Sequence, residues 1–172
     1  MNNVLITGGL GYIGSHTASI LAKNNIKFLI FDNLSNCKIE VIQRLEQIIK
    51  QEIDFVEGDI KDTDKLITII QKKNISSVLH FAALKSVEDS LLSPIEYYET
   101  NISGTISLLK AMKITNVKNL VFSSSASVYG EPDYLPIDEL HRVESINPYG
   151  QTKIVVEEIL SDLVKYDNSW SI

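Results

Sequence analysis

Residues 3–7, Asn-Val-Leu-Ile-Thr, are a short apolar run suited to a buried strand. They pass directly into Gly8-Gly9-Leu10-Gly11-Tyr12-Ile13-Gly14. Four of the chain's eight glycines lie in that turn, and the residues after it, Ser15 to Leu21, have helical spacing. Gly9, Gly11 and Gly14 spell G-x-G-x-x-G, while Gly8, Gly11 and Gly14 spell G-x-x-G-x-x-G. A glycine-packed turn between a strand and a helix lets backbone pass close to a ligand. Its free N–H groups and the positive end of the helix suit a pyrophosphate. Taken alone, the string also describes a glycine-rich structural turn, so the rest of the chain has to decide.

The remainder alternates in the same way. Residues 27–31 read as a second buried strand ending at Asp32, followed by a polar loop (33–37) and a helix over 39–51. A third strand is expected at 53–57. A helix capped by Asp62 or Thr63 should then run to 73, with a fourth strand at 77–81. A long helix over 94–113 begins at Pro94, a residue suited to the first helical position. A fifth strand is expected at 120–124 and a last helix over 149–166, after Pro148. Residues 126–147 have no strong period, and a connection of that length is usually functional. Apolar, β-branched strands alternating with helices predict an α/β fold, a doubly wound parallel sheet of Rossmann type ordered 3-2-1-4-5. Trp170-Ser171-Ile172 reads as the start of a sixth strand, which leads us to expect that the sheet and a further domain are cut short. Residues 1–172 are thus expected to be one domain.

Composition narrows the function classes. A net charge of -6 argues against a nucleic-acid or anionic-membrane surface, yet not against a small anion held by backbone N–H groups. Cys37 is the only cysteine, so an internal disulfide is impossible and a reducing, cytoplasmic setting fits. The N-terminus lacks a basic leader, and no apolar run approaches the length of a membrane span.

In a doubly wound sheet, ligands lie outside the carboxyl ends of the strands, so the residues just after each strand carry the chemistry. Asp32 can accept both hydroxyls of an adenosine ribose and would repel a 2'-phosphate, which favours NAD over NADP. Asp59 and Ile60 follow the third strand and could border the adenine, although Asp59 reads equally well as a turn residue. Phe81, Ala82 and Ala83 follow the fourth, where core packing explains Phe81 just as well. Tyr149 and Lys153 are four apart on a helix and share a face. An unperturbed phenol titrates near 10, and a neighbouring ammonium favours its ionised form, which makes such a tyrosine a candidate base. Ser123, Ser124 and Ser125 close the fifth strand and offer a hydroxyl to bridge Tyr149 and a substrate oxygen; Ser123 reads rather as a polar strand end. His80 reads as a satisfied core histidine and His16 as an ordinary helix residue. The three histidines, His141 included, have no metal-ligand spacing. Lys85 could meet a ligand oxygen or simply be solvated.

Six stretches together resemble the extended short-chain dehydrogenase/reductase superfamily, and within it the UDP-glucose 4-epimerases. They are T-G-G-L-G-Y-I-G-S-H from Thr7, D-N-L-S-N from Asp32, H-F-A-A-L-K-S-V from His80, Y-Y-E-T-N-I-S-G-T from Tyr97, S-S-S-A-S-V-Y-G from Ser123 and P-Y-G-Q-T-K from Pro148. Dehydratases of that superfamily usually carry a T-D-E-type sequence at Ser124-Ser125-Ala126. The resemblance implies bound NAD, contacted by Gly8, Gly11, Tyr12, Ile13 and Gly14, and by Asp32, Asn33, Leu34, Ser35, Asn36 and Cys37. It further implies contacts from Asp59, Ile60, Phe81, Ala82, Ala83, Leu84, Lys85, Thr100, Asn101, Tyr149 and Lys153. It implies that Tyr149 takes the proton of the sugar 4-hydroxyl as hydride leaves C4, giving a 4-keto sugar that is reduced from its other face. Lys153 would hold the nicotinamide ribose, and Ser125, with Lys85, would meet the sugar. The substrate would be a UDP-sugar whose binding half is missing from the chain, so little activity is expected of these residues alone. A homodimer through the helices at 94–113 and 149–166 is also implied. Ala83 departs from the family, which often has glycine there. The rival readings are another sugar-nucleotide epimerase or dehydratase and a non-catalytic NAD-binding module.

Overall fold

The computed structural model describes residues 3–172. Its framework is five parallel strands: β1 (Asn3–Thr7), β2 (Lys27–Asp32), β3 (Phe55–Glu57), β4 (Ile75–His80) and β5 (Leu120–Phe122). They lie in the order β3-β2-β1-β4-β5, as the alternating pattern predicts. The helices are α1 (Tyr12–Lys23), α2 (Glu40–Ile49), α3 (Thr63–Lys72), α4 (Val87–Leu92), α5 (Pro94–Tyr98), α6 (Gly104–Ile114) and α7 (Pro148–Tyr166).

The strands are apolar on both faces because both faces are covered. Successive side chains alternate: Val4, Ile6, Phe28 and Ile30 pack with Ala18 of α1 and Leu45 of α2. Leu5, Leu29, Phe31 and Val78 face the other way, against Leu66 and Ile70 of α3, Leu108 and Met112 of α6, and Val156 and Leu160 of α7. Each such fully buried aliphatic side chain contributes about 1.5–3 kcal/mol.

The structure differs from the sequence reading in several bounds, with the fifth strand ending at Phe122 and the second helix spanning Glu40–Ile49. The third strand is shorter than read, Phe55–Glu57, the part that pairs with Ile30–Asp32, and the fourth begins earlier, at Ile75, which pairs with Asn3. The single helix expected over 94–113 is broken. Pro94 does begin α5, but Glu99–Ser103 is a π-turn, with α6 after it. Before it lies the short α4, capped by Ser86 Oγ accepting from the Asp89 N–H at 3.1 Å. Asp62 caps α3 as expected, accepting from Lys65 N–H at 3.0 Å, and the structure adds a cap the sequence reading did not name, Asn147 accepting from Gly150 N–H at 2.8 Å ahead of Pro148. In the long connection, residues 126–129 make one 3₁₀ turn. Trp170 is buried in the core, and Ser171 makes a parallel bridge to Asn119 beside β5.

The strand ends align. Phe31, Thr7, His80 and Phe122 form one row across the sheet. The ladder continues one residue further: Gly8 N–H donates to Phe31 O, Phe81 N–H to Thr7 O and Ser123 N–H to His80 O. Everything that follows the row emerges at one edge.

Candidate functional site

At that edge lies a cleft of about 390 Å³, astride the point between β1 and β4 where the strand order reverses. Gly8, Gly11, Tyr12, Ile13 and Gly14 line it, as do Asp32, Asn33, Ser35, Asn36 and Cys37. So do Ile60, the run from Phe81 to Lys85, Thr100, Ser123, Ser124, Tyr149 and Lys153.

The turn is built as a cradle. Gly8 has φ +67°, and a Cβ there would come 2.5 Å from the Ala82 backbone nitrogen. A Cβ on Gly14 would collide with the Gly8 carbonyl oxygen. Backbone thus replaces side chains where α1 starts, at an N-terminus whose Gly11 cap offers no side-chain acceptor. Gly11 and Gly14 belong to both overlapping glycine strings, so Gly8 and Gly9 decide between them. Gly9 packs toward Ile30, under the turn, whereas Gly8, Gly11 and Gly14 face the cleft.

Asp32, 8 % exposed, ends β2 beside this turn. Its Oδ2 accepts from the Leu10 N–H at 3.0 Å, and its Oδ1 accepts from the Leu34 N–H at 3.0 Å and the Cys37 thiol at 3.2 Å. The carboxylate therefore holds the glycine turn and the 33–37 loop together. Burial, with the Asp32 bond and charge adding to it, pushes the Cys37 thiol up to about 12, so it stays a protonated donor.

Across the cleft, Tyr149 and Lys153 both line the wall, on the first two turns of α7. The Lys153 Nζ donates to the Ser123 carbonyl at 2.8 Å, lies 4.6 Å from the centre of the Phe122 ring and 6.0 Å from that of Tyr149. Lys153 is 4 % exposed, and burial pulls its pKa down from 10.5 to about 8, against the opposing pull of Glu157. Tyr97 packs edge-on against Tyr149, ring centres 6.5 Å apart, and helps fix the phenol's direction.

Four sequence-predicted residues stand behind this lining. Leu34 donates its N–H to Asp32, and Asp59 accepts from Asn33 Nδ2 at 3.1 Å and Lys61 N–H at 2.9 Å, so both organise loops. Asn101, 3 % exposed in the π-turn, grips both backbone groups of Leu84: Leu84 N–H donates to Oδ1 at 2.8 Å and Nδ2 donates to Leu84 O at 2.9 Å. Ser125 accepts from Ser127 N–H at 3.1 Å at the start of the 3₁₀ turn, next to Ser124. Sequence reasoning missed Gly58, which lines the cleft against the Phe31 ring, and Glu157, which accepts the Ser124 hydroxyl. Gly58 had a signal, a glycine just past a strand; Glu157 had only its spacing of four from Lys153. His16 stacks on Tyr12, and His80 is fully paired in the core, as read. Among the described residues no helix is long and apolar enough to cross a membrane.

A five-stranded doubly wound sheet, a glycine cradle at its switch point, a strand-end acid and a Tyr-x-x-x-Lys helix define a Rossmann-type dinucleotide-fold domain. Comparison with known proteins places it more closely. The chain belongs to the family whose model is described as GDP-mannose 4,6 dehydratase, which matches residues 5–172. It is 43% identical over 169 residues to the UDP-glucose 4-epimerase of Bacillus subtilis, covering 98% of this chain and 50% of that one. It is 47% identical over 170 residues to that of Dictyostelium discoideum, covering 99% and 49%. Among solved structures, the UDP-glucose 4-epimerase of Bifidobacterium longum in complex with NAD+ and UDP superposes with a TM-score of 0.97 at 41% identity. That match spans 99% of this chain and 51% of that one. The Stenotrophomonas maltophila enzyme with bound NAD and formylated UDP-arabinopyranose gives 0.94 at 44% identity, covering 96% and 49%. The chain spans about half the length of the curated relatives it matches. The similarity to UDP-glucose 4-epimerases read from six stretches of sequence therefore holds along the whole chain.

Proposed function

We propose that this chain is the NAD-binding part of a UDP-glucose 4-epimerase, with Tyr149 as its acid–base group. One observation carries the reading: Tyr149 and Lys153 line the same cleft as the glycine cradle and Asp32. The residues fit the cofactor, because Gly8 and Gly14 leave backbone where a Cβ would stand, and a buried carboxylate closes the adenosine end. The cradle N–H groups would hold the pyrophosphate and Asp32 the ribose hydroxyls. The cleft wall from Phe81 to Lys85, with Lys153, would hold the nicotinamide end. NAD would supply the hydride acceptor for C4 of the sugar.

The chain's own part is the proton. Tyr149 would accept the proton of the sugar 4-hydroxyl and later return it to the same oxygen, while bound NAD would supply the hydride chemistry at C4. Lys153, one N–H already on Ser123 O, has two left for a ribose or the phenol, and keeps a positive charge beside the base. Ser125 uses a lone pair on Ser127 N–H, so its hydroxyl proton remains to donate to the sugar oxygen. Lys85, on the cleft wall, would meet the same sugar. The UDP-sugar's nucleotide end would be held by residues beyond this chain. We therefore expect the 172 residues to bind NAD yet turn over UDP-galactose barely at all. Calorimetric titration with NAD and a coupled UDP-galactose assay test both halves: no NAD binding, or turnover near that of a full-length relative, overturns the reading. The apolar groove of Ile106, Leu109, Ile159, Leu163 and Trp170 between α6 and α7 supports a homodimer through these helices, which sedimentation of the purified chain checks.

A further inference from the structure

Among the buried titratable side chains that the proton chemistry above leaves unused, His80 stands nearest the row of strand ends under the cleft. His80 closes β4 at 1 % exposure, with Nδ1 2.6 Å from Thr7 Oγ1 and Nε2 3.0 Å from Thr105 Oγ1. Its tautomer follows from counting protons. The Thr105 hydroxyl has one, and donates it to the Asn101 carbonyl at 2.6 Å. Thr105 Oγ1 must therefore accept from His80 Nε2–H. Nδ1 is left bare and accepts from the Thr7 hydroxyl. The ring is neutral; burial, with the Lys153 charge acting in the same direction, lowers its pKa to about 3.

The chain of bonds does not stop there. Asn101 spends its side chain on both backbone groups of Leu84 and on Thr152 Oγ1, at 2.9 Å, and the Thr152 hydroxyl donates to the Tyr149 carbonyl at 2.6 Å. Two hydrogen-bonded segments, one ending on the Asn101 backbone carbonyl and the other starting from its side-chain amide, thus meet at Asn101 and link Thr7, the residue before the glycine cradle, to the first turn of α7. Any buried histidine needs both ring nitrogens paired, but here the two partners, Thr7 and Thr105, belong to different elements, β1 and α6. A buried network with every proton assigned selects one arrangement of the parts it joins.

We propose that His80 is a positioning residue for the two halves of the cleft. Its imidazole sets the register between the end of β1 and the π-turn. Through Asn101 it fixes the Phe81–Lys85 loop and the Tyr149 turn against the bound dinucleotide. This rests on the NAD reading of the cleft.

The test uses the full chain and NADH as probe, with affinity from calorimetry and nicotinamide ordering from the emission of the bound reduced ring. Thr105→Val removes both the acceptor for Nε2 and the donor to Asn101 while keeping the side chain's shape, and Thr105→Ser restores the hydroxyl. Because the pyrophosphate end is held by the cradle, Thr105→Val should change the Kd by less than about threefold. Its bound-NADH emission should fall toward that of free NADH, and Thr105→Ser should recover it. His80→Leu should show the same loss, and the double variant no more than either alone. Unchanged emission in Thr105→Val, whatever its melting temperature, overturns the proposal and leaves His80 as core filling. Should His80→Leu fail to fold, the Thr105 pair decides alone. Failure of the unsubstituted chain to bind NADH overturns the NAD reading, and this proposal with it.

Discussion

The two sides of the cleft are made of different material. The cradle side is backbone: glycine positions where any Cβ would collide, one carboxylate bonded to the Leu10 and Leu34 amides, and a helix start, all within residues 8–37. The Tyr149 side is built from side chains assembled across the chain. Lys153 reaches back to Ser123, and Asn101 joins Leu84 to Thr152 across 17 and 51 residues. A backbone site tolerates almost no substitution but needs little support from elsewhere. A side-chain site keeps its geometry only while distant partners stay in place, and Lys153 shows what this costs, being a cation held almost out of water.

That contrast can be broken or sharpened by substitution. The largest effect belongs to Tyr149→Phe. In a chain carrying the UDP-sugar-binding part, it should lower UDP-galactose turnover about 10²–10⁴-fold while NAD stays bound. Loss of NAD together with turnover would mean the tyrosine supports the fold and not the proton transfer.

Next is Lys153→Met. Burial has moved the lysine from 10.5 to about 8, so between those values the unfolded chain holds more protons than the folded one. The charge therefore costs stability fully below pH 8, and the cost fades as pH rises toward 10.5. Removing it should stabilise the chain at pH 7 by up to about 3 kcal/mol, less the bond to Ser123. Urea melts from pH 6 to 10 should show the gain shrinking with pH. A gain that does not shrink would mean apolar packing is responsible and not the charge.

Gly8→Ala should have the smallest effect in free energy. A methyl at φ +67° meeting the Ala82 backbone forces the turn open and should weaken NAD roughly ten- to a hundredfold by titration. NAD binding as tight as before would remove the cradle from the account.

Much of this was legible in the chain because it is local. Strand, turn and helix around Gly8 to Gly14 sit in immediate succession, Asp32 ends its own strand, and Tyr149 and Lys153 are one helical turn apart. The π-turn was not legible. Residues 94–113 keep a helical spacing throughout, and the wide turn at Glu99–Ser103 coincides with the Asn101 grip on Leu84, a loop outside the helix. Nor could the sequence choose between the two glycine strings, since that depends on Gly8 passing the Ala82 backbone. His80 was readable as a core histidine from its apolar strand, but its partners lie 73 and 25 residues away.

By itself, then, the sequence determined the order of the strands, the doubly wound class and the segments that meet at the cleft edge. Each of these depends on hydrophobic period or on groups within a turn or two of one another. Only the tertiary structure decided which glycines face the cleft, where the long helix widens, which residues stand behind the lining, and which proton each buried hydroxyl gives away. Those depend on close approaches between segments far apart in the chain. There a displacement of one atom's width decides whether a hydrogen bond forms or a Cβ fits.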